Sequence, residues 1–268
     1  LKEEKGGKPK LIDPRAEGER LLRLPPKEAS RIFQSYSIEE QLAIIEATPD
    51  PRKKEELYYL VPDCTELVQR SKIEVVLQVV DSLLGSGLAC GILSAVSPKQ
   101  LEEMIDMTIW NERGELNEEM LELWLFELVN LDIEDAERLI PKVSPDILVQ
   151  FLRGKVDIAP EFKGKDYKWH IIEEKVLNPE GLIYYDEKAR FIADIIWIAD
   201  EDLFYQVMRE LFMLQKEPEG PREEELLILK AKEARDARMA ERNKERGLTV
   251  SEEEMFLEVD LENLNLKE

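Results

Sequence analysis

Paired carboxylates are the residues here whose spacing could do chemistry. Glu102 with Asp106, and Glu118 with Glu122, stand four apart. On helices each pair shares a face and could hold a hydrated Mg²⁺ or Ca²⁺. Like charges at that spacing cost only about 0.2–0.5 kcal/mol per pair, so the simpler reading is a solvated acidic face. The four residues stand as weak metal candidates behind it. His170 is the only histidine, which excludes sites built on paired imidazoles. It lies beside Trp169, with Glu173 and Glu174 close by, and reads as a packed or surface histidine rather than a general base. Gly85, Gly87 and Gly91 lack the spacing of a dinucleotide loop and follow a helix-like run, so they read as a turn. No phosphate loop, nucleophile elbow, H-E-x-x-H or EF-hand pattern occurs. No catalytic residue and no cofactor are therefore assigned, and an enzyme is the least favoured class.

Charge narrows the partners. The chain has 268 residues with 37 basic and 59 acidic side chains, a net −22. Such a surface repels phosphate backbones and anionic lipid, so nucleic acid is not an expected partner. No apolar run is long enough to span a membrane. The longest candidate, from Ile73 to Val96, is interrupted by Glu74, Gln78, Asp81, Gly85 and Gly87. Cys64 and Cys90 make no disulfide framework and read as small buried hydrophobes in a reducing compartment. The expected setting is the cytoplasm. A chain opening on Leu1, without a basic-then-apolar leader, is expected to be a piece of a longer protein.

The elements that must position these side chains follow a period. Pro26, Pro62 and Pro98 stand 36 residues apart, and Pro145 follows 47 later. Each opens a polar step before an apolar stripe at helical spacing, the mark of stacked helical pairs that cannot bury their faces alone. The expected fold is all-α, a superhelical array of helical pairs with a small β-hairpin-like insert. Residues 1–18 are expected to be a flexible tail, 19–153 the array, 154–186 an irregular or hairpin insert, and 187–268 a helical C-terminal part. Within the array, Ser37 to Glu40 and Ser97 to Gln100 form capping boxes. Ile38, Leu42 and Ile45 should be buried, as should Ile73, Val76, Leu77, Val80 and Leu84. Asn117 caps a helix through Val129 that is apolar nearly all round and should be the most buried element. Two β-prone runs, 167–172 and 182–185, suggest the hairpin. Ser251 to Glu254 caps a last short helix.

The repeated steps, Leu24-Pro-Pro-Lys-Glu-Ala29 and Val96-Ser-Pro-Lys-Gln-Leu101 among them, resemble the superhelical repeats of the cytosolic N-terminal domain of the MgtE magnesium transporters. Related repeats occur in the flagellar rotor switch protein. The chain is more similar to a bacterial family of unknown function. The likeness rests on Asp106 to Trp110, the helix around Trp124, and the basic stretch Arg242 to Leu248. It spans roughly residues 20 to 260 and implies no catalytic residues.

Repeats supply surface and no reactive set converges, so the expected function is a non-catalytic protein-binding or scaffold module. The alternative is a regulatory domain that senses Mg²⁺ or Ca²⁺ through its acidic helix faces. Trp169, Tyr184 and Tyr185 sit on an insert too short to bury them all and are the expected partner-binding residues. At least one of the three should be exposed. The competing possibility is that all three plug a gap between array and C-terminal helices.

Overall fold

The computed structural model describes residues 13–111, 113–158, 182–216 and 221–247. It divides into two units, Leu1–Pro218 and Glu219–Glu268. The described fold is all-α apart from one short pair of strands. No described helix is long and apolar enough to cross a membrane.

Helix α1 (Pro14–Leu21) starts where Asp13 accepts from the Arg15 and Ala16 amides, with Pro14 at the first helical position. Residues 14–18 therefore belong to a helix and not to a flexible tail. The Gly-rich, charged composition hid it, because α1 is held by packing: a Cβ at Gly18 would stand 2.8 Å from Thr48 Oγ1. Helix α2 (Pro26–Phe33) buries Ala29 and Phe33. Helix α3 (Ile38–Ala47) carries the expected Ser37–Glu40 capping box. Its buried face is Gln41, Ile44 and Ile45, with Ile38 and Leu42 at the edge. The rotation follows from Gln41, whose amide reaches inward to the Phe33 and Tyr36 carbonyls at 2.8 and 3.2 Å.

Helices α4 (Pro51–Tyr58), α5 (Thr65–Arg70) and α6 (Ile73–Asp81) follow. Tyr58 is fully buried and donates to Ser71 Oγ at 2.6 Å. Lys54 of α4 reaches Gln78 of α6 at 2.5 Å, and burial pushes its ammonium pKa down. Helix α6 ends three residues earlier than its apolar stripe suggests. Turns follow, in which Gly85 and Gly87 take positive φ, the left-handed region that only glycine enters without strain. A short α7 (Cys90–Leu93) leads to α8 (Pro98–Thr108), which keeps the expected Ser97–Gln100 box. Helices α9 (Glu118–Val129), α10 (Ile133–Leu139) and α11 (Pro145–Leu152) complete the expected array region. Pro26, Pro98 and Pro145 each open a helix, whereas Pro62 lies in the turn between α4 and α5.

The hairpin differs from expectation in one strand. Strand β2 (Leu182–Tyr184) pairs antiparallel with β1 (Val156–Ile158), Asp157 opposite Ile183. The proposed partner run, 167–172, lies outside the described residues. Three residues are too few for the alternation that marks a strand in sequence. The pair is completed from the next helices, α12 (Glu187–Ala199) and α13 (Glu201–Lys216). The Gln215 amide on α13 donates to Val156 O at 2.8 Å and accepts from Ile158 N at 3.1 Å, closing the outer edge of β1 as a third strand would. The second unit contributes α14 (Pro221–Glu245), ended by Gly247 at positive φ.

Candidate functional site: an apolar groove between three helices

Helix α9 sets the geometry of the groove. Asn117 accepts from the Met120 amide and starts the helix. Trp124 is fully buried and donates through Nε1 to Thr108 Oγ1 on α8 at 2.8 Å. Glu127, also fully buried, accepts from the backbone N–H groups of Gly87 and Ala89 at 2.9 and 3.1 Å. A buried carboxylate is tolerated only when its oxygens are satisfied in this way. These contacts fix the rotation of α9 about its axis.

That rotation corrects the expectation of an all-round buried helix. Glu127 occupies the inner face beside Trp124 and Leu128, so Leu123 and Phe126 turn outward, 37% and 44% exposed. Both rest on the glycine turn. A Cβ at Gly85 would stand 2.7 Å from Leu123 Cδ2, and one at Gly87 would stand 3.8 Å from Phe126 Cε1.

Between α9, α11 and α12 lies a groove of about 350 Å³. Its walls are Leu125, Phe126 and Val129 from α9, Phe151 from α11, and Phe191 and Ile192 from α12. Phe191 is 50% exposed, while Phe151 and Ile192 are buried. At the rim, Lys188 of α12 bonds to Glu122 of α9, which holds the Lys188 pKa above the usual lysine range. Asn130 sits at the rim too and donates to Phe126 O at 2.7 Å. Lys155 Nζ stands 3.7 Å from the Phe151 ring centroid, a cation–π contact.

The four carboxylates expected on solvated faces differ in exposure. Asp106 is 1% exposed on α8 and its neighbour Glu103 is also buried, so that face of α8 points inward; Glu102 is half-buried. Glu118 is exposed, and Glu122 is committed to Lys188. Among the described residues no three His, Cys, Asp or Glu side chains gather as metal ligands would. Asp132 caps α10, and Asp135 pairs with Arg138 at 2.6 Å.

Among the aromatic candidates, Tyr185 is 64% exposed and its hydroxyl donates to Asp157 Oδ2 at 2.5 Å. Tyr184 is half-buried, its hydroxyl without a hydrogen-bond partner among the described residues, and burial pushes its pKa well above the usual tyrosine range. Trp169 and His170 lie outside the described residues, as does Ser251 to Glu254. Cys64 and Cys90 are unbonded to each other and half-buried rather than core, and burial pushes the Cys64 thiol up.

Residues 30–167 match the profile of a family of unknown function, DUF6178. The chain belongs to that family. No curated protein and no solved structure matches it. The family match covers α9 and α11, two of the three groove walls; α12 lies beyond it. In the sequence, Phe126 lies in the helix expected to be the most buried, and Phe191 opens an apolar helical stripe. The usable signal is Glu127 inside the otherwise apolar run 123–129, which means that one apolar flank has to yield the interior to it.

Proposed function

We propose that this protein is a non-catalytic protein-binding module whose contact surface is the groove between α9, α11 and α12. One observation carries the reading. Two phenylalanines on facing helices, Phe126 and Phe191, stand about half exposed over an otherwise apolar groove. Contiguous exposed apolar surface of this kind marks interaction sites. The titratable groups at the rim, Glu122 and Lys188, hold each other and present no acid, base or nucleophile to a bound molecule. A small ligand normally buries most of its surface in its pocket, and walls this exposed suit a larger partner. Two cysteines without a disulfide support a reducing, cytoplasmic setting.

Affinity capture from native lysate tests this, comparing the wild type with a Phe126→Ser, Phe191→Ser variant that keeps its helical circular dichroism. A stoichiometric protein held by the wild type and lost from the variant is expected. Equal retention by both would overturn the groove assignment. Melting in Mg²⁺ or Ca²⁺ addresses the alternative: a rise that disappears in Glu102→Gln, Asp106→Asn would make α8 a cation sensor instead.

A further inference from the structure

We infer that the occupant of this groove is a basic amphipathic helix of a partner protein, an inference that rests on the binding reading above. Three observations point to it. The walls are themselves helices, and a groove between helices accepts apolar anchors spaced i, i+3 or i+4, and i+7 along another helix. The apolar surface also continues beyond the groove. Leu123 is exposed one turn before Phe126, and Leu88, 65% exposed, follows the Gly87 that packs beside Phe126. A ligand confined to about 350 Å³ would leave that strip bare.

Charge chooses the sign. The cations near the groove are already matched: Lys188 by Glu122, and Lys155 by the Phe151 ring. The anions are not. Glu118 and Glu119 stand exposed in the first turn of α9, and Glu187 stands exposed in the first turn of α12. Glu118 shares a helix face with Glu122 and Leu125, so the acidic end of that face runs into its apolar end. A partner with lysine or arginine beside its apolar anchors meets both features at once, and the net −22 of the chain draws it in. The same charge opposes a second copy of this chain as the occupant.

The test uses synthetic helices of about 18 residues with leucine on one face and lysine on the other. Controls are a leucine/glutamate version and a scrambled leucine/lysine peptide of equal composition, each titrated by fluorescence anisotropy. The patterned basic helix is expected to bind at least about tenfold tighter than either control. Phe126→Ser or Phe191→Ser should each weaken it by about tenfold. Glu118→Gln with Glu119→Gln, both exposed, should weaken it roughly threefold at low salt and less at high salt. Equal binding of the leucine/glutamate helix would overturn the basic partner while leaving the groove in use. Equal binding of the scrambled peptide, or indifference to both phenylalanine substitutions, would overturn docking in the groove. Absence of helix binding alongside groove-dependent capture from lysate would overturn this inference and leave the binding reading standing.

Discussion

The α1–α6 region and the α9–α11–α12 region differ in the aromatic side chains they leave open: Tyr59, at the end of α4, is 46% exposed in the first, against Phe126 and Phe191 in the second. In the first, Phe33 and Tyr58 are fully buried. Polar side chains draw neighbouring elements together there: Gln41 to Phe33 O at the end of α2, Lys54 to Gln78, and Ser30 to Leu60 O at 2.6 Å. Ion pairs lie on the outside of these contacts, Arg70 with Glu39 and Lys72 with Glu46. In the second region, α9 is anchored on its inner side by Trp124 and Glu127. On the groove side the named polar link from α9 to α12 is the Glu122–Lys188 pair. Anchoring one face of an apolar helix while leaving the other open exposes aromatic surface. The difference separates side chains that hold the fold from side chains available to a partner.

Truncating an anchor should break the comparison most severely. Trp124→Ala removes a fully buried indole and its bond to Thr108, and is expected to cost about 3–5 kcal/mol by urea denaturation. A cost below about 1 kcal/mol would mean that α9 is not pinned through this residue. Glu127→Gln comes next. A neutral amide offers one acceptor oxygen where the carboxylate satisfies two N–H groups, so the loss should be about 1–3 kcal/mol. Faster hydrogen exchange at the Gly87 and Ala89 amides should accompany it. No change in either quantity would contradict the pin.

The smallest effect concerns the far side of α12. Burial raises the Asp194 carboxyl pKa to about 6, opposed by Arg190. A carboxyl raised in the folded state favours folding fully below its unfolded pKa, about 3.9. That contribution is lost as pH rises through about 6. Asp194→Asn should therefore raise the melting temperature near pH 7.5 and leave it unchanged near pH 4, the asparagine standing in for the protonated acid. An equal shift at both pH values would show that the residue acts through packing alone.

Much of the fold was legible because helix starts are written locally. The Ser37 and Ser97 boxes, the Asn117 cap and the prolines at 26, 98 and 145 each need only neighbouring residues to act. The all-α class follows from the apolar stripes. What resisted reading depends on distant contacts. Gln41 rotates α3 by reaching carbonyls on the preceding elements, and Gly18 admits α1 to α3. The β1–β2 pair joins residues separated by the whole insert. The groove was hidden for the same reason: Phe126 and Phe191 sit in stripes that look like core. Only the contact of Glu127 with a turn 38–40 residues earlier decides which flank of α9 faces out.

The most direct test of this division is the folding free energy of the Phe126→Ser, Phe191→Ser variant measured beside Trp124→Ala. Each phenylalanine is half exposed, so the pair should cost about 2 kcal/mol together, less than the single tryptophan, while the helical signal stays intact. A loss equal to or larger than that of Trp124→Ala would place both rings in the core and contradict an open binding groove.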